Sequence, residues 1–334
     1  MSTNYNVVYA ADNNFASVLG TSIYSLFDNN RDAEKINVFI LDGGINESNK
    51  RKIINIENQY RNSNIVWIKV ESISSNLGID VHNDRGSLSQ YSRLFIGSLV
   101  NKNVNRILYL DCDTLIVSSI NKLWNLDLKG NTISALKDAF SKYYRKNIGL
   151  SNNDIMFNSG VMLIDLEAWR NQNIEKKALS FILKKNGKIQ QGDQGVLNSI
   201  LSKKTLPLDP KYNLVSIFYE LTFNEIRLYR APYNFYDEKA INDAKKKPVI
   251  IHYTSSFYSI RPWFVESNHP ITNVWLSYYR RTPWKNTDLN HELNKSKKII
   301  IKLFNLNMKK PLLLCAGIFQ KYLRPLKNRF GCSK

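Results

Sequence analysis

Apolar positions in the first hundred residues fall alternately into short unbroken runs and helical stripes. Asn6-Val-Val-Tyr-Ala-Ala11 is a run short enough for a buried strand. Leu19, Ile23 and Leu26 follow at i, i+4 and i+7, which is one face of a helix. Asn37-Val-Phe-Ile-Leu41 reads as a second strand, Ile53, Ile56 and Tyr60 as a second helix, and Ile65-Val-Trp-Ile-Lys-Val70 as a third strand. After a Gly-, Asp- and Asn-rich loop at 78–86, the pattern predicts a helix over 89–100 and a strand over 106–110. Further strands are expected at 133–136, 160–164 and 249–252, with helices at 174–183 and from Gln191 to near Leu201. Strand and helix in alternation predict an α/β fold. Its core would be a Rossmann-like, mostly parallel sheet with helices on both faces, and ligands would bind beyond the carboxyl ends of the strands.

Composition adds that 43% of the 334 residues are hydrophobic and 12% aromatic, enough for a sizeable core and unlike a disordered chain. The polar opening, Met1 to Asn6, lacks the basic-then-apolar order of a signal peptide, so a cytoplasmic protein is expected. Cys112, Cys315 and Cys332 have neither metal-finger spacing nor the even count of a disulfide framework. Net charge is +19, but eleven of those charges lie after Leu293, where no Asp or Glu occurs. A basic nucleic-acid-binding protein is therefore a weak alternative, since the charge is confined to the tail and no recognised binding motif accompanies it. No P-loop and no G-x-G-x-x-G turn follows the first strand, which argues against kinases and dehydrogenases.

Candidate chemistry begins at Asp111-Cys112-Asp113, which ends an apolar strand. If the strand continues through them, both carboxylates point the same way and repel unless a cation such as Mg2+ or Mn2+ lies between. A solvated acidic turn is the competing reading. His252 follows an apolar run at another strand end, where it could supply a third ligand, and an imidazole favours Mn2+ over Mg2+.

Six segments in consistent order resemble glycosyltransferase family 8, over about residues 5 to 285. They are Val7-Val-Tyr-Ala-Ala-Asp-Asn-Asn14, Gln90-Tyr-Ser-Arg-Leu94, the Asp-x-Asp strand end, Phe157-Asn-Ser-Gly-Val161, Gln191-Gly-Asp-Gln194, and His252-Tyr with Arg261-Pro-Trp263. That family contains retaining enzymes with a GT-A fold, including bacterial lipopolysaccharide galactosyl- and glucosyltransferases. The resemblance implies a donor, UDP-galactose or UDP-glucose, whose uridine meets Ala10, Ala11, Asp12 and Asn14. It also implies a divalent metal on Asp111, Asp113 and His252, and donor contacts from Arg93, Cys112, Asn158, Ser159, Ser255 and Arg261. Asp193 would contact hydroxyls of the transferred sugar, and Gln194 would sit beside its anomeric carbon. Each residue type also has a structural alternative: Asp12 or Asn14 as a helix cap, Arg93 in a plain salt bridge, Asp193 and Gln194 as ordinary helix-start residues.

Two departures from the family pattern stand out. Ser255 occupies the place of an expected Gly, and three extra residues precede Arg261, which replaces a Lys. Beyond a catalytic domain at 1–285, the tail 286–334 places Lys298, Lys302, Asn305 and Lys309 on one helical stripe, with Pro311 expected to break the helix. The 312–319 run is too short to span a bilayer. An interfacial helix on an anionic membrane surface is expected, so that the enzyme is peripheral on the inner face of the cytoplasmic membrane; packing on the catalytic body is the alternative. A glycan, glycolipid or glycoprotein would be the acceptor. A catalytically silent UDP-sugar-binding module is the second functional possibility.

Overall fold

The computed structural model describes residues 3–70 and 88–331, so the loop expected at 78–86 and Cys332 lie outside the described residues. Seven strands form the central sheet in the order β3-β2-β1-β4-β7-β6-β8. These are β1 Asn4–Ala11, β2 Lys35–Asp42, β3 Ser63–Lys69, β4 Arg106–Leu110, β6 Ile133–Lys137, β7 Phe157–Asp165 and β8 Thr205–Pro207. Three short strands, β5 Thr114–Ile116, β9 Leu214–Val215 and β10 Ile250–His252, make a second sheet in the order β5-β10-β9.

Alternation along β1 and β2 divides the core into two layers, because successive strand side chains point to opposite faces. Val7, Tyr9, Val38 and Ile40 pack with Leu19, Ile23 and Leu26 of the helix Ala16–Asp28. Val8, Phe39 and Leu41 pack on the other side with Ile174, Ala178 and Ile182 of the helix Ile174–Lys184 and with Val196 and Leu197 of the helix Gly192–Leu201. Each fully buried Leu or Ile contributes about 1.5–3 kcal/mol, so both faces of the sheet are firmly covered. The expected α/β architecture, mostly parallel with helices on both faces, is the one observed.

Several local expectations need correction. The 89–100 segment is not one α-helix but a 3-10 helix, Leu88–Phe95, followed by one α turn, Ile96–Leu99. Tyr91 and Leu94 are both buried, and their three-residue spacing matches the three residues per turn of a 3-10 helix. β7 begins at Phe157 rather than Gly160 and runs antiparallel to both β4 and β6. Its pairing with β6 shifts between Ala135 and Leu136, whose partners are Met162 and Asn158. Such irregularities bend a strand and re-aim its side chains, here at Asn158, Ser159 and Gly160.

Pro311 does not end the tail helix. Lys295–Leu303, a π turn Phe304–Met308, Lys309–Ile318, a second π turn Phe319–Leu323 and Arg324–Gly331 follow without interruption. Pro311 stands in the first turn after a wider π turn, where the missing N–H costs little. This tail packs on the body. Leu313 is fully buried among Phe218, Ile226 and Tyr229, and Phe304 stacks on Tyr258 at 4.7 Å. Lys298 pairs with Glu266 at 2.9 Å and Lys309 with Glu225 at 2.8 Å, so two lysines of the expected basic stripe face the body. Leu306, Phe319, Leu323 and Leu326 remain 47–63% exposed.

Candidate active site

The strand β4 stops at Leu110, and residues 111–113 form a turn that carries the chain from the large sheet to the small one. The two carboxylates therefore do not converge through strand alternation. The turn brings them together instead, closed by Thr114 N donating to Asp111 O at 3.1 Å. Antiparallel pairing of β10 with β5 sets His252 opposite Thr114 and delivers the imidazole to the same point. His252 Nε2 lies 3.1 Å from Asp113 Oδ1 and 3.8 Å from Asp111 Oδ2.

Two asparagines orient the His252 ring. Asn213 Nδ2 donates to Asn158 Oδ1 at 3.0 Å, which turns Asn213 Oδ1 toward His252 Nδ1 at 2.9 Å. A cation bound between the carboxylates would call for the tautomer with the proton on Nδ1, facing Asn213 Oδ1, and the Nε2 lone pair turned toward the carboxylates. Asp111, Asp113 and His252 offer ligand atoms within 4.8 Å of one another. Oxygen and imidazole donors converging in this way fit a divalent cation. Gly160 makes the convergence possible: a Cβ there would come within 2.1 Å of His252 Cε1 and 2.7 Å of Asp111 Oδ2. The room this glycine leaves is thus filled by the side chains of His252 and Asp111.

Beside this cluster, Arg93 is a nearly buried cation between two acids. It pairs with Asp111 at 2.9 Å and Asp193 at 2.7 Å, donates to Ser159 O at 3.1 Å, and lies over the Tyr109 ring at 4.6 Å. Burial opposes its charge, but Asp111 and Asp193 outweigh burial and hold the guanidinium above its ordinary range. Arg93 is thus held in two ion pairs and also lines the cavity described below. Gln194 is held by both ends. Its Oε1 accepts from Ser159 N at 3.2 Å, and its Nε2 donates to Gln191 Oε1 at 2.9 Å and Asp138 Oδ2 at 3.3 Å. The Cys112 thiol donates to Ala10 O at 3.0 Å; burial pushes it well above the usual thiol range, with Asp111 and Asp113 adding to the effect. It is a neutral wall of the site.

These groups line one cavity of about 340 Å3. It brings together Ala10, Ala11, Asp12, Arg93, Asp111, Cys112, Asp113, Asn158, Ser159, Asp193, Gln194, His252, Ser255 and Arg261. Asn14 is exposed and does not join the lining; Asp12 does, while also capping the turn Asn13–Phe15 by accepting from Asn14 N at 3.0 Å. Arg261 stands 3.5 Å from Asp113 Oδ2 and lies over Trp263 at 4.5 Å, so the longer loop still returns it to the Asp-Asp-His cluster. That loop also carries Phe257 and Tyr258, which seat Phe304 of the tail.

Sequence reasoning missed Asp138, Gln191, Arg230 and Asn213. Asp138 directly follows β6, a strand-end acid like Asp111, and that signal was readable. Asn213 precedes the two-residue strand β9, and nothing in the local pattern marks it.

The glycosyl transferase family 8 model matches residues 6–266. General stress protein A of Bacillus subtilis (strain 168) is 29% identical over 294 residues, covering 87% of this chain and 98% of that protein. The lipopolysaccharide 1,2-glucosyltransferase of Escherichia coli (strain K12) is 28% identical over 286 residues, covering 84% of this chain and 79% of the relative. Among solved structures, the galactosyltransferase LgtC in complex with donor and acceptor sugar analogues superposes with a TM-score of 0.68 at 24% identity, covering 84% of this chain and 99% of that one. That likeness speaks for the GT-A fold. With the family model covering the span from β1 to the loop beyond Arg261, the chain belongs to glycosyl transferase family 8 and is a glycosyltransferase of GT-A fold.

Proposed function

We propose that this enzyme is a retaining hexosyltransferase that moves galactose or glucose from a UDP-sugar to a glycan, glycolipid or glycoprotein acceptor. The observation that carries the reading is the convergence of Asp111, Asp113 and His252 in the cavity that also holds Gln194. Asp111, Asp113 and His252 would hold the divalent ion, with manganese favoured over magnesium by an imidazole ligand. When bound, the ion supplies Lewis-acid stabilisation of the departing diphosphate.

The chain's own residues do the rest. Ala10, Ala11 and Asp12 receive the uridine, and the small side chains let a base approach. Arg261 leaves the Asp113 edge to share the diphosphate charge. Asn158 accepts from Gly160 N and Asn213 Nδ2 through Oδ1, which leaves its Nδ2 to donate to the sugar. Ser159, Ser255 and Asp193 add polar contacts along the donor. The Gln194 carbonyl, fixed by Ser159 N, presents its dipole toward the positive charge that develops at the anomeric carbon. The anomeric bond to UDP breaks with its electron pair on the phosphate oxygen. The acceptor hydroxyl then bonds on the same face and gives its proton to the departing phosphate. Product configuration read by NMR is expected to match that of the donor, and an inverted product would refute this mechanism.

We assign residues 1–285 to catalysis and 286–334 to membrane association at the cytoplasmic face. Among the described residues, no helix is long and apolar enough to cross a membrane. Phe319, Leu323 and Leu326 are exposed at helical spacing, beside the exposed basic residues Lys327 and Arg329. Each basic residue near an anionic surface adds about 1 kcal/mol. Wild type is expected to sediment with phosphatidylglycerol vesicles, and changing Phe319, Leu323 and Leu326 to Ser is expected to weaken this about tenfold or more. Unaltered sedimentation of that variant would remove the tail from membrane binding.

A further inference from the structure

A second hollow of about 400 Å3 adjoins the donor cavity. Phe140, Gln191, Arg230, Thr254 and Ser255 line both. The far wall of the second comes from the tail, through Gln320 and Arg324.

Three observations indicate what this hollow receives. First, Arg230 and Arg324 bring two guanidiniums to its surface. Arg230 lies over the rings of Tyr229 at 4.7 Å and Phe140 at 5.7 Å, and its Nε is buried without a hydrogen-bond partner among the described residues. Arg324 Nη1 donates to Gln320 Oε1 at 3.4 Å, a neutral acceptor. The acid in the lining, Glu220, has a side chain only 2% exposed, accepts from Ser259 Oγ and lies 3.8 Å from His269 Nε2. Guanidiniums that meet neutral neighbours suit an anionic ligand, which they can grip through paired hydrogen bonds.

Second, the tail wall is fixed in place. Tyr144 Oη donates to Gln320 O and Oε1, each at 2.9 Å, and Gln320 Nε2 donates to Tyr229 Oη at 3.3 Å. Tyr229, Phe257 and Tyr258 add aromatic surface, the usual companion of a few placed polar groups in a ligand pocket. Third, the boundary between the two hollows is strained. Gln191 holds a φ of +66°, a left-handed conformation that is costly without glycine, while its Oε1 accepts from Gln194 at 2.9 Å. A residue held in this way beside the reactive centre ties the second hollow to the first.

We propose that the second hollow is the acceptor subsite, that it takes a sugar bearing a phosphate or carboxylate clamped by Arg230 and Arg324, and that the tail completes it. This rests on the transferase reading above. The test is calorimetry on the full chain saturated with UDP and Mn2+, so that the donor phosphate site is already filled. Glucose 6-phosphate, glucuronate, glycerol 3-phosphate and glucose are titrated in turn. Glucose 6-phosphate and glucuronate are expected to bind about tenfold or more tighter than glucose, the difference that charged hydrogen bonds supply. Both are also expected to bind tighter than glycerol 3-phosphate, and Arg324→Gln and Arg230→Gln should each erase the preference.

Equal binding of glucose overturns the anionic clamp. Glycerol 3-phosphate binding as tightly as glucose 6-phosphate marks a bare phosphate or lipid-headgroup site and overturns the acceptor assignment. A preference that survives Arg324→Gln overturns the tail's part in the site. Failure of UDP itself to bind would fall on the transferase reading instead, so the two failures are distinguishable.

Discussion

Replacing Asp113 by alanine is expected to lower sugar transfer by at least about a hundredfold to a thousandfold, the range found when one electrostatic stabiliser is removed from a reaction centre. The side chain meets His252 Nε2 at 3.1 Å and Arg261 at 3.5 Å, so its loss removes the proposed metal-holding carboxylate and the resting partner of the arginine together. Electron paramagnetic resonance of added Mn2+ separates these effects from misfolding: the variant should melt as a folded protein yet leave most Mn2+ free. Full activity of Asp113→Ala in the presence of a chelator would overturn the metal assignment.

Gly160→Ala should act through packing at the same point. Its new methyl group would come within 2.1 Å of His252 Cε1, and His252 is itself only 3% exposed. Asn213 holds that ring through Nδ1, and Arg93 holds Asp111, so neither neighbour can move without breaking a buried contact. Overpacking of this kind costs about 1–3 kcal/mol. We expect a lowered melting temperature together with Mn2+ affinity weakened by about tenfold or more, because the two ligands are pushed apart. Unchanged Mn2+ affinity in a folded Gly160→Ala enzyme would show that this glycine does not set the ligand spacing.

The order of strands and helices was legible because short unbroken apolar runs alternate with stripes of about 3.6-residue period, and Arg106–Leu110 was readable to the residue. The direction of β7 was not. Phe157 to Ile164 is buried on both faces of the sheet, and such an apolar run reads alike in a parallel or an antiparallel strand. Asp111, Asp113 and His252 could be nominated from their strand ends, but how they converge depends on a turn and a second sheet that local pattern does not encode. Asn213 was invisible for the same reason: its role comes from the pairing of β9 with β10. The tail shows a further limit. Lys298 and Lys309 read as a solvated or membrane-facing stripe until Glu266 and Glu225 are placed opposite them. Pro311 read as a break because nothing local announced the π turn before it.

Metal-dependent cleavage of a UDP-sugar is the claim on which the rest depends. Its most direct test is UDP release by the purified full chain from UDP-galactose and UDP-glucose, with Mn2+ and with excess chelator. The site geometry predicts release from at least one donor with Mn2+ and its loss in chelator. No release from either donor with Mn2+, or equal release in chelator, would contradict it.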